Sequence, residues 1–97
     1  PKVTASQNSQ SLRSSLTDLH QQLDSLDRQL QEDDAPQNKA GVSTSRSNVR
    51  NLNAVIESII NDIENDNTNA AKQKMSSMNM QFLALQQSLQ KLGGRYT

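Results

Sequence analysis

Asn61–Asn69, NDIENDNTN, is the stretch whose reading decides the fold. Asn65, Asp66, Asn67, Thr68 and Asn69 are weak helix formers, because short polar side chains compete for backbone hydrogen bonds. Thr68 or Asn69 is also suited to cap a new helix. Yet no Gly or Pro interrupts the stretch, and a seam can be carried through it at Ile63, Asn67, Ala71 and Met75, each four residues apart. Successive steps of four form a stutter, which unwinds a coiled coil locally without breaking it. We expect one long helix with a polar waist at 61–69. The alternative is a break near 65–69, which leaves three helices of similar length and hence a three-helix bundle.

Upstream of the waist, Val49, Leu52, Ile56, Ile59 and Ile63 recur in steps of three and four, and Val55 and Ile60 widen the stripe on both sides. A wide apolar face suits a helix touched by two neighbours. In the first third of the chain, Leu12, Leu16, Leu19, Leu23, Leu26 and Leu30 alternate steps of four and three. They leave a single narrow seam, the a/d signature of a coiled coil or slim bundle helix. With Leu16, Leu23 and Leu30 at a, the e sites hold Arg13, His20 and Asp27, and the g sites hold Ser15, Gln22 and Gln29. Neutral g residues give charge pairing little to select a partner with, and leucine at both a and d selects no oligomer number. This helix is placed at about 8–32, capped by Asn8 or Ser9 after a polar arm at 1–7.

Residues 33–43 read as a linker, since Pro36, Asn38 and Gly41 punctuate it. Glu32, Asp33 and Asp34 crowd a helix C-terminus, where the macrodipole disfavours negative charge. Neutralisation by Lys39, Arg46 and Arg50 across the turn of an antiparallel hairpin is the simple expectation; an acidic and basic handle for a partner is the rival one. The second helix then opens within Ser43–Ser47 and covers about 44–92, followed by a tail at 93–97 after the stop at Gly93.

The later part of that helix carries Met75, Met78, Phe82, Leu85, Leu89 and Leu92 in heptad steps, with Met80 and Leu83 off the stripe. A helix apolar on more than one face needs more than one neighbour. At roughly 1.5 Å per residue, the first helix is about half the length of a continuous second one. Its six leucines therefore form a hairpin core with Val49, Leu52, Ile56, Ile59 and Ile63. Met75, Met78, Met80, Phe82, Leu83, Leu85, Leu89 and Leu92 are left as the candidate assembly interface.

Composition narrows the function classes. A 97-residue chain fits one domain, and 32% hydrophobic with 2% aromatic residues is thin for a globular core. Ten basic and ten acidic residues cancel and are scattered, so no basic stripe for nucleic acid is present. No apolar run approaches the roughly 20 residues of a membrane-spanning helix. The absence of cysteine excludes disulfides and thiolate metal sites. The Pro1 start suggests a fragment or a processed product.

Each chemical motif fails on its parts. Asp62, Glu64 and Asp66 alternate as calcium-loop ligands do, but Asn67 and Gln73 occupy the positions that need a Gly and a bidentate Glu. His20, the sole histidine, has no Cys or second His for a metal or a catalytic dyad and reads as a flanking residue of the seam. The serines have no nucleophile elbow and there is no Gly-rich phosphate loop. No catalytic, metal or cofactor site is expected.

The run Ala70–Thr97, AAKQKMSSMNMQFLALQQSLQKLGGRYT, resembles the C-terminal helices of type III secretion filament and needle-tip proteins. The Gln-Lys-Met-Ser opening, the Met/Leu heptads, the absence of Cys and the short polar tail carry the resemblance. It implies a secreted bacterial subunit whose helices form a coiled coil that polymerises or caps a needle. The long apolar N-terminal helix usual in filament members is missing.

The sequence is thus expected to give an all-α protein. It reads as an antiparallel helical hairpin with a long second helix, or, if the waist breaks, a three-helix bundle. Three functions remain in play: non-enzymatic self-assembly through helical packing, a heteromeric adaptor or chaperone-bound module completing a bundle with another helical protein, and an autonomous monomeric three-helix domain.

Overall fold

The computed structural model describes residues 5–92, with side chains from residue 10 onward. The tail at 93–97, its Gly93 stop and the first part of the arm lie outside the described residues. Helix α1 spans Ala5–Glu32, a single 3-10 turn spans Pro36–Asn38, and helices α2 and α3 span Lys39–Glu64 and Thr68–Gln90. Among the described residues there is no strand, and the fold is a three-helix arrangement.

The long helix expected across the waist is not formed; of the two alternatives, the break at 65–69 is the one observed. Asp66 takes a left-handed conformation (φ 57°). Its N–H donates to the Ile63 carbonyl at 3.1 Å, and the Asn67 N–H donates to the Asp62 carbonyl at 2.7 Å. This pair of bonds is the Schellman stop, usually built on Gly at the left-handed position. Asp fills that position tolerably because its short polar side chain is among the few that visit it. Asn67 then caps α3, its side-chain oxygen accepting from the Ala70 N–H. The polar residues that weakened the waist thus supply both a stop and a start.

The start of α2 also differs from expectation, falling at Lys39 rather than within Ser43–Ser47. Pro36 opens the preceding 3-10 turn, where a fixed φ and a missing N–H do no harm. Asp33 secures that turn by accepting from the Ala35 N–H and the Asn38 side-chain amide at 3.1 and 3.0 Å. Gly41 therefore lies inside the helix instead of ending a linker. A Cβ there would collide with the Leu92 side chain, so glycine makes room for Leu92 to seat on α2.

Helix α2 is central and packs on both α1 and α3. Its stripe is covered along most of its length: Val49, Leu52, Ile56 and Ile59 are buried, with Val55, Ile60 and Ile63 partly buried. Leu16, Leu23 and Leu30 of α1 and Ala71, Leu85 and Leu89 of α3 close on it from two sides. The molecule measures 54 × 22 × 17 Å with a radius of gyration of 15.5 Å. A compact domain of this length would have about 12 Å, so the bundle is long and slim.

Candidate functional site

Although α1 and α3 share α2 as a neighbour, no α1 Cα comes within 8 Å of an α3 Cα among the described residues. Between them runs an open groove of about 490 Å³. Leu19, Gln22, Leu23 and Leu26 form its α1 wall, and Phe82, Leu85, Gln86, Leu89 and Gln90 form its α3 wall. The heptad explains the α1 wall. Residues at a are the ones α2 covers fully, while d and g residues lie along the open side of the seam. Accordingly Leu16, Leu23 and Leu30 are buried, whereas Leu12, Leu19 and Leu26 are only partly covered.

The e side of α1 is occupied differently. Arg13 donates through Nε and Nη2 to Glu64 Oε1 at 2.9 and 2.7 Å. The His20 ring lies between Asp24 and Glu57, 3.3 and 2.8 Å from their carboxylate oxygens. Asn53 donates to Asp24 at 3.2 Å, and Arg46 pairs with Asp27 at 3.0 Å. A step of seven along α1, from Arg13 to His20, meets a step of seven back along α2, from Glu64 to Glu57. This ladder fixes the antiparallel register. Arg46 was expected to neutralise the acidic run at the turn; it instead meets Asp27 one turn earlier, while Asp33 is used by the turn itself.

The α2–α3 seam has polar clasps near both ends. Lys74 Nζ lies 2.7 Å from Asp62 Oδ2 and donates to Ser58 Oγ at 2.6 Å. Asp62 is buried, 8% exposed, with that lysine as its ion-pair partner. Towards the other end, Asn48 donates to Ser88 Oγ at 2.7 Å, and Ser88 in turn donates to the Ala84 carbonyl.

The residues expected to form an assembly interface are divided by this packing. Leu85 and Leu89 are buried, and Met75, Met78 and Leu92 pack half-buried on the core. They are covered because α3 folds back on α2, which a continuous helix would not permit. Met80, Leu83 and Phe82 remain exposed at 72%, 54% and 36%. Phe82 lines the groove, and Leu83, the next residue, turns about 100° from it onto the outer lip. From Met75 to Gln90 no residue carries a charge. That blank span was available in the sequence, as was the seven-residue spacing shared by Arg13, His20, Glu57 and Glu64.

The remaining candidate groups are separated rather than assembled. Asp62 turns to Lys74 and Glu64 to Arg13, and Asp66 forms the helix stop. Among the described residues no group of three His, Cys, Asp or Glu side chains is placed to hold a metal ion. No helix among them is long and apolar enough to cross a membrane. A smaller hollow on α2 is lined by Lys39, Val42, Ser43, Arg46, Ser47 and Arg50. Its Arg46 is already committed to Asp27.

No family model matches the chain, and no curated protein or solved structure matches it either.

Proposed function

We propose that this chain is a non-enzymatic assembly module that packs against a helix of a second copy, using the α1–α3 groove and the adjoining Met80, Phe82 and Leu83 face. The observation that carries this reading is the uncharged span Met75–Gln90 with three large apolar side chains exposed on it. A helix that ends its life facing water ordinarily carries ionisable side chains on that face. Fully burying a Phe or Leu is worth about 1.5–3 kcal/mol per side chain, enough to drive association when several act together.

A second copy suits the groove in its chemistry. The net charge is zero, so no long-range repulsion keeps copies apart. The polar rim is Gln22, Gln86 and Gln90, which demands no charged partner. The outer face of α3 offers matching material, since Met80 and Leu83 are flanked by Ser76, Asn79 and Gln87. The likeness of Ala70–Thr97 to secretion filament and needle-tip subunits makes a secreted filament or tip assembly the proposed setting.

Light scattering of the purified chain over a wide concentration range tests the reading. Mass should rise with concentration, and Phe82→Asp with Leu83→Asp should weaken association at least tenfold while far-UV helicity stays unchanged. Association unaffected by that double change, or a wild-type chain that remains a monomer throughout, overturns it. A monomer that gains mass only with a different helical protein would reassign the groove to a heteromeric partner.

A further inference from the structure

Four features of α3 and its connection converge on one property. Helix α3 makes its close backbone approach to α2, and no Cα of α1 comes within 8 Å of it among the described residues, so the α1–α2 pairing does not run through α3. Only residues 65–67 join it to α2, and they include neither Gly nor Pro. Asp66 among them holds a left-handed backbone that L-residues with a Cβ adopt at a cost. Finally, Ile63, Asn67, Ala71 and Met75 continue the helical seam across the connection.

We propose that two copies of the chain exchange α3, residues 65–67 becoming helical so that 39–90 runs as one helix of about 78 Å. Two such helices lie antiparallel with the two-fold axis at the former turn. Each α3 then meets the partner's α2 in the same direction as it meets its own in the monomer. Every contact of the α2–α3 seam recurs between copies, including Lys74 with Ser58 and Asp62 and Asn48 with Ser88. The exchange gives up the helix stop and the Asn67 cap, together with the freedom of one molecule. It gains continuous helical hydrogen bonds at the hinge and relieves Asp66. Because the seam itself cancels, these hinge terms set the balance, and short strained hinges are where such exchange arises. This inference goes beyond the groove reading, and neither depends on the other.

A charge-swap experiment on the full chain tests it. In a Lys74→Asp copy, positions 62 and 74 are both acidic; in an Asp62→Lys copy, both are basic. Each copy therefore repels itself when its own α3 is folded back. In an exchanged heterodimer both opposite-charge pairs are restored. The two copies are made in a Phe82→Asp, Leu83→Asp background, which removes groove packing, and mixed after brief unfolding. The expected result is a one-to-one heterodimer by native mass spectrometry, with more helix than either copy alone. A mixture that stays monomeric, or forms homodimers as readily as heterodimers, overturns the proposal. The hinge gives a second measurement in the wild-type charge background, again without the groove residues. Asp66→Gly should weaken dimerisation about tenfold, and Asp66→Leu with Asn67→Ala should strengthen it by a similar factor. Equal dimerisation in both hinge variants also overturns it. If these results hold and the wild-type chain associates no more tightly than the Phe82→Asp, Leu83→Asp chain, the groove reading alone falls.

Discussion

Two residues set local energies that can be measured separately from any association. Asp66 sits at φ 57° in the stop between α2 and α3, where glycine would carry no Cβ penalty. Asp66→Gly should therefore stabilise the monomer by about 1 kcal/mol, less a part returned through the looser unfolded chain. That corresponds to a rise in Tm of about 5 °C for a chain of this size, read by thermal melts at low concentration; a fall in Tm would contradict the role given to Asp66. Ser45 is the second. Its side chain is fully buried in α2 and its hydroxyl has no hydrogen-bond partner. Burying an unpaired hydroxyl is unfavourable, and serine is a poorer helix former than alanine. Ser45→Ala should accordingly gain about 1 kcal/mol in urea unfolding, with an unchanged m-value.

At the scale of the helix, α1 and α2 are registered by polar pairs whose value lies in alignment more than in stability. Arg13 and Glu64 are each about half exposed. Removing that pair with Arg13→Ala should cost about 0.5 kcal/mol and lose even that at high salt. Reversing Arg13 to Glu opposite Glu64 should cost more than deletion, and the excess should vanish as salt is raised. A salt-independent loss would mean that the arginine stem, not its charge, supports the contact. The leucine and isoleucine stripes were legible in sequence because a helical period is a repeated signal. Seven of the eleven residues assigned to the hairpin core are buried and the others partly so. The turn at 65–67 was not decided in sequence because its stop relies on Asp in a conformation that Gly usually marks. The early start of α2 was hidden for the converse reason: Gly41 resembles a breaker, yet serves a close approach by Leu92 that is distant in sequence. The e-site pairs do not stand out in sequence, because the g sites that would ordinarily carry the complementary charges are neutral. At the candidate site, the exposed trio Met80, Phe82 and Leu83 could be separated from Leu85 and Leu89 only once the fold-back of α3 was known.

On the scale of the whole molecule, α2 serves as the shared partner of two helices whose Cα atoms stay more than 8 Å apart among the described residues. The groove between α1 and α3 leaves most of each one's close packing to α2, so the bundle resembles two hairpins built on one common helix. Stability in such an arrangement is not uniform, because local opening can remove one outer helix and leave a folded pair behind. Hydrogen exchange should resolve this. Amides around Val49–Ile59, guarded from both sides, should exchange slowest, while α1 and α3 exchange through separate openings of lower free energy. Leu16→Ala, which removes a buried α1 side chain, should speed exchange in α1 and leave the slow amides of α3 unchanged. Equal acceleration in both would show a single cooperative unit. If the openings are separate, the chain can expose either flank of its central helix while the opposite flank stays closed, and a partner arriving at one flank would meet a half-unfolded, rather than unfolded, protein.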